Sequence, residues 1–135
     1  MNIDYAHKVL NYLHQHPTRH SQLTWGMRIA EHCGTAACIA GTAVLLDTNS
    51  TTLWTKSTGG SEYMTGVQLG DDPDNVVEVQ WWAAQLLGLD GQTAHSLFHE
   101  MNSATAIKKL ETMIAVAEAG ERLDALFKAA EAVPV

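Results

Sequence analysis

Residues 36–46 run A-A-C-I-A-G-T-A-V-L-L, eleven positions without a charge. A helix that is apolar on all sides is a buried helix, and this one is too short for a bilayer, which needs about 20 such residues. The run therefore predicts the central helix of a small soluble domain. Ala36, Ala37, Ala40, Gly41 and Ala43 leave its backbone open to close approach, while Ile39, Val44, Leu45 and Leu46 supply bulk. Thr35 is the expected N-cap, with its hydroxyl accepting from a free amide of the first turn. His32, Cys33 and Gly34 then stand immediately before a helix N-terminus, where the dipole and unpaired amides favour an anion or a thiolate.

A chain of 135 residues can bury one core without staples, so residues 1–132 are read as a single globular domain and residues 133–135 as a frayed tail. No apolar stretch reaches membrane length, and M-N-I-D-Y-A-H-K lacks the basic-then-apolar order of a secretory signal, which points to a cytoplasmic protein that meets no membrane. Two cysteines make no disulfide framework. With eight basic against fifteen acidic residues and a net charge of −7, no basic patch forms, and nucleic acid is excluded as a partner. Seven histidines are many for this length; five of them precede residue 33.

In chain order, Ile3, Ala6, Val9, Leu10 and Leu13 recur at helical spacing until Pro17 closes the segment. His7, Asn11 and His14 share one stripe of that helix, read as a solvated face. T-W-G-M-R-I fits either a short strand or a loop anchored by Trp25. Threonines and aromatics on both sides of S-T-G-G predict a β-hairpin at 51–56 and 62–69. The acids of G-D-D-P-D lack EF-hand spacing and are read as capping a helix over 75–87. Gly88 ends that helix, and Asp90 caps a shorter one through His99. Asn102 or Ser103 caps a helix over 104–119, Gly120 breaks it, and a last amphipathic segment follows over 123–132. The fold class is thus α+β and mostly helical, a buried central helix surrounded by N- and C-terminal helices with one β-hairpin.

The blocks H-C-G-T-A-A-C-I-A-G-T-A and A-A-Q-L-L-G-L-D-G-Q-T-A-H-S-L-F, with Asn102 close behind, resemble a family of small uncharacterised proteins of bacteriophages and actinobacteria. That family carries a Cys-Gly-Thr-x-x-Cys-x-Ala-Gly block and a Leu-Leu-Gly-Leu turn followed by a Leu-Phe segment. The resemblance covers residues 25–117 and departs at Thr42, where the family more often has tryptophan. It implies phage or prophage origin and no particular activity. The second block also has the rhythm of a helix-turn-helix, but its second helix offers His95, Ser96, His99 and Glu100 where a DNA reader presents arginine, lysine, asparagine or glutamine.

Two chemistries compete with simple binding. C-G-T-A-A-C-I-A resembles the nucleophile block of papain-like peptidases that process bacteriocin leaders, with one extra residue between the cysteines; the resemblance implies Cys33 as a hydrolytic nucleophile. His95 and His99, four apart on a helix, have the spacing with which two imidazoles grip one ion, so zinc is the candidate cofactor if His32 or Cys33 joins them. The remaining reading is non-catalytic: Cys38 is a small buried core residue, and the protein attaches to a host protein or to a small anionic ligand whose charge sits at His32, Cys33, Gly34, Thr35 and Ala36. A homodimer is compatible with this reading. The hydrolase alternative makes its own demand: Cys33 should be alkylated by iodoacetamide well below pH 8.5, about the ordinary thiol pKa. Ordinary slow alkylation of the native protein removes it.

Overall fold

The computed structural model describes residues 1–29, 35–57 and 59–132. His32, Cys33, Gly34 and the tail 133–135 lie outside the described residues. The first helix, α1 (Ile3–Gln15), is capped by Asn2, whose side chain accepts from the Tyr5 amide. It buries Ala6, Val9, Leu10 and Leu13, one stripe at helical spacing. Pro17 opens a 3-10 turn (Pro17–Arg19), and the chain then crosses the molecule before strand β1 (Met27–Ile29). Trp25 falls in that crossing and Met27 in the strand, so T-W-G-M-R-I is loop and strand in succession.

Strand β2 (Thr35–Ala36) pairs antiparallel with β1 and leads into the central helix α2 (Ile39–Leu45). The helix is buried around its circumference, as the charge-free run requires. Its start differs from expectation by three residues. Thr35 does not cap it; Thr35 and Ala36 are spent on β2, and Cys38 is the N-cap, its sulfur accepting from the Gly41 amide at 3.3 Å. Sulfur is a weak acceptor that ordinary capping preferences do not flag.

The hairpin forms as β3 (Ser50–Lys56) and β4 (Ser61–Leu69), with a register shift between Leu53 and Trp54. It belongs to a larger sheet ordered β2-β1-β4-β3. The edge of β4 away from β3 takes β1 at one end and β5 (Val76–Val77) at the other. Val76 and Val77 were expected inside a helix; they extend the sheet instead, and α3 (Val79–Leu87) starts two residues later. Gly88, at φ 64°, ends α3 in the left-handed conformation. The Leu87 carbonyl accepts from the Asn2 amide at 2.8 Å, so the end of α3 is tied to the start of α1.

Asp90 caps α4 (Gly91–Phe98), and Asn102 caps α5 (Ser103–Glu131). Gly120 does not break α5. A glycine inside a helix costs only about 1 kcal/mol relative to alanine, which good helix formers on either side absorb. α5 lies on α1, where His7 and His14 meet Glu118 and Glu111, each pair at 3.2 Å. The histidine stripe read as a solvated face does stay about half exposed, and it also borders the seam between the two helices. α5 buries Ala106, Leu110 and Ile114; from residue 119 on, every described residue is exposed. The described residues make one mostly helical α+β fold.

The tightest packing lies where the 20–26 crossing passes over α2. A Cβ on Gly41 would stand 1.4 Å from the Trp25 carbonyl oxygen. That is backbone against backbone, with no flexible side chain to yield. Gly41→Ala is expected to destabilise the fold by about 3 kcal/mol or more, read as a lower denaturation midpoint. A change below about 1 kcal/mol would show that the crossing does not sit on the helix.

Candidate functional site

The crossing is held to α2 by a small polar network. Gln22 is 5% exposed. Its Oε1 accepts from the Ile39 amide at 2.8 Å, and its Nε2 donates to the Glu100 carbonyl at 3.0 Å. Because Oε1 can only accept, His20 donates to it from Nε2, at 2.8 Å. The Cys38 amide donates to the Thr24 carbonyl at 3.0 Å and the Ala37 amide to the Arg19 carbonyl at 2.9 Å. The amides of residues 37, 38, 39 and 41 are thus bonded to protein acceptors; of the expected anion site, His32, Cys33 and Gly34 lie outside the described residues, and Thr35 and Ala36 belong to β2.

Beside this network a cleft of about 320 Å³ opens between the crossing and the end of α4. Cys38 and Phe98 line it, Trp25 and His99 wall it edge to face with ring centroids 5.7 Å apart, and Leu23 and Met101 flank the mouth. Those last two are 73% and 65% exposed. Neither stood out in the sequence, since lone apolar residues between elements carry no pattern. Gln22 likewise has no motif; only the contact of residue 22 with residues 39 and 100 gives it a role.

Cys38 is the thiol that actually stands at the start of α2, and it is not activated. Burial pushes it from 9.0 up to about 11, overriding the downward pull of the Gly41 and Ala40 amides. At neutral pH it is a protonated core thiol that points weakly at the Trp25 carbonyl, 3.9 Å away. This bears out its reading as a buried core residue. Cys33, the expected nucleophile, and His32 and Gly34 are outside the described residues; Thr35 and Ala36 pair with Arg28 and Met27 in the sheet.

His95 and His99 do come together, with ring centroids 4.2 Å apart. They open onto different spaces, however. His99 lines the cleft and bonds from Nε2 to Gln80 Oε1 at 2.9 Å, while His95 lines a cavity of about 280 Å³ between α3 and α4 beside Trp81. Two imidazoles are half of a tetrahedral zinc set. Among the described residues no three histidine, cysteine or acidic side chains converge on one point.

A further groove of about 570 Å³ runs between α4 and α5, with Leu97 and Met113 beneath and Ser96, Thr112 and Lys108 along its sides. Lys109, also in its wall, pairs with Glu100 at 3.1 Å. Among the described residues Lys108 makes no ion pair. No helix among them is long and apolar enough to cross a membrane.

The Cys38 thiol makes a pH prediction. A group whose pKa is higher in the folded state adds stability at pH values below its unfolded pKa, and that stability is lost as pH rises towards the folded value. Between about pH 9 and 11 the wild type should therefore lose about 2–3 kcal/mol more than Cys38→Ala. Denaturant titrations across that range measure it, and parallel slopes for the two proteins would refute the burial of the thiol.

Comparison with models of known protein families, with curated proteins and with solved structures finds no match to this chain.

Proposed function

We propose that this is a non-catalytic binding protein that receives an apolar side chain of a partner protein in the cleft between Trp25 and His99. The observation that carries this reading is the pairing of a half-buried tryptophan with two large apolar side chains, Leu23 and Met101, left exposed at the mouth of the cleft. Tryptophan and methionine are enriched at recognition surfaces, and binding energy concentrates on aromatic anchors in desolvated pockets. The cleft wall is fixed by the Gln22 network, so the site is preorganised and little ordering is needed on binding.

Chemistry argues in the same direction. The thiol lining the cleft is protonated at neutral pH, a form that does not act as a nucleophile. The net charge of −7 favours a partner whose anchor is flanked by lysine or arginine, since complementary charge steers association. The resemblance to phage and actinobacterial proteins makes a bacterial host protein the natural candidate and the bacterial cytoplasm the natural setting. Of the two partner classes expected, a protein is favoured over a small anion because the mouth of the cleft presents the apolar side chains Leu23 and Met101.

Leu23→Asp combined with Met101→Asp changes only exposed side chains and should leave the melting temperature within a few degrees of wild type. Wild type and variant immobilised side by side against bacterial lysate then give the test. A protein held by the wild type and lost at least about tenfold by the variant supports the reading. Equal retention by both, or native mass spectra in which the purified chain carries a small anionic molecule unaffected by the variant, overturns it.

A further inference from the structure

The outer face of α5 joins two features that the cleft does not use. Past residue 118 the helix leaves the body of the protein, and Val116, Leu123, Leu126 and Phe127 are each more than half exposed. At 100° per residue these four, with Ala119, Gly120 and Ala130, fall within an arc of about 120°. Traced back towards the start of α5, the same arc holds Thr112, Lys109, Lys108 and Thr105, which wall the groove against α4. One continuous face therefore presents an apolar stripe at one end and, at the other, a groove with a cation that has no ion-pair partner among the described residues.

We propose that two copies of this chain pair through this face, antiparallel about a two-fold axis at Ala119–Gly120. A two-fold contact requires that when one residue meets another, the second also meets the first. An axis at that point satisfies the requirement throughout. Val116 faces the second copy's Leu123, Phe127 reaches the level of the second copy's Thr112 and enters its groove over Met113, and Glu131 reaches the level of its Lys108. Within the arc no like charges are opposed, and at its margin Lys108 and Glu131, the latter about 20° beyond it, are opposite in sign. Gly120 fits the same arrangement. A Cβ there would meet nothing within 4 Å, so the single chain gives no packing reason for a glycine in mid-helix, whereas two helices crossing at Ala119 and Gly120 come closest where side chains are smallest. With roughly 100 Å² exposed on each large apolar side chain and the groove walls added, the pairing covers on the order of 1,000 Å² over both copies, the lower limit for a specific interface.

The test is the oligomeric state of the full chain by sedimentation and light scattering over a concentration series. A concentration-dependent dimer is expected, weakened at least about tenfold by Phe127→Ala. Gly120→Leu should weaken it similarly while raising helical circular dichroism, a combination that loss of fold cannot produce. Lys108→Glu should also weaken the dimer, and adding Glu131→Lys should restore it. A monomer at the highest soluble concentration overturns the proposal, as does a dimer indifferent to Gly120→Leu or one in which the double charge reversal gives no rescue.

Discussion

The Trp25 carbonyl lies where the side chain of residue 41 would be, and this one close approach organises the molecule. With glycine at 41, the 20–26 crossing lies directly on α2. The Cys38 amide then finds the Thr24 carbonyl and the Ile39 amide finds Gln22, so the first turn of a buried helix is satisfied by a neighbouring segment. An unpaired buried amide costs about 1–3 kcal/mol, which makes the crossing and the helix mutually dependent. Gln22 also donates to the Glu100 carbonyl, so the same segment fixes the end of α4. The cleft inherits its shape from this arrangement: Trp25 comes from the crossing, Cys38 from the helix it covers, and His99 from the element it holds.

The elements with strong local signals were legible in the sequence. The stripe Ala6, Val9, Leu10 and Leu13 gave α1, and the threonines and aromatics around Ser57–Gly60 gave the hairpin within a residue at either end. Asp90 and Asn102 cap the helices assigned to them. What could not be read depends on partners distant in sequence. Thr35 has the better capping side chain, yet pairing with Arg28 takes it into the sheet and leaves the cap to a thiol. Val76 and Val77 fit a helical pattern as well as a strand, and the free edge of β4 decides. His7 and His14 form the polar face that their spacing indicates, but their partners Glu118 and Glu111, spaced by the same seven residues on α5, could not be read. Of the candidate site, the burial of Cys38 was legible; the placement of Gln22, Leu23 and Met101 was not, because each depends on contacts the chain makes only once folded.

The central block also shows two opposing effects with a clear winner. A helix N-terminus favours a thiolate through its free amides, and that expectation rests on a terminus open to solvent. Here the terminus is buried, and desolvation acts on the charged form alone. The amides of Gly41 and Ala40 lower the Cys38 pKa, but burial raises it further, to about 11. Position at a helix start is thus not enough to activate a cysteine; the same start must be wet or face a cation.

The length of α5 poses the last physical question. Its core contacts stop at Ile114, and the following stretch makes only half-buried contacts with α1 through residue 118. The remaining 13 residues, 119–131, project with large apolar side chains and include none that is buried among the described residues. A free helix shorter than about 12–15 residues is marginal in water, and this one contains a glycine. It is continuous with an anchored helix, which removes the nucleation cost, but among the described residues nothing covers Leu123, Leu126 and Phe127. Solvated arms of this kind are ordinarily polar all round; one with an apolar stripe is built to be covered. The arm adds no buried residue to the core of the described protein, and this is why the proposed pairing is placed on it.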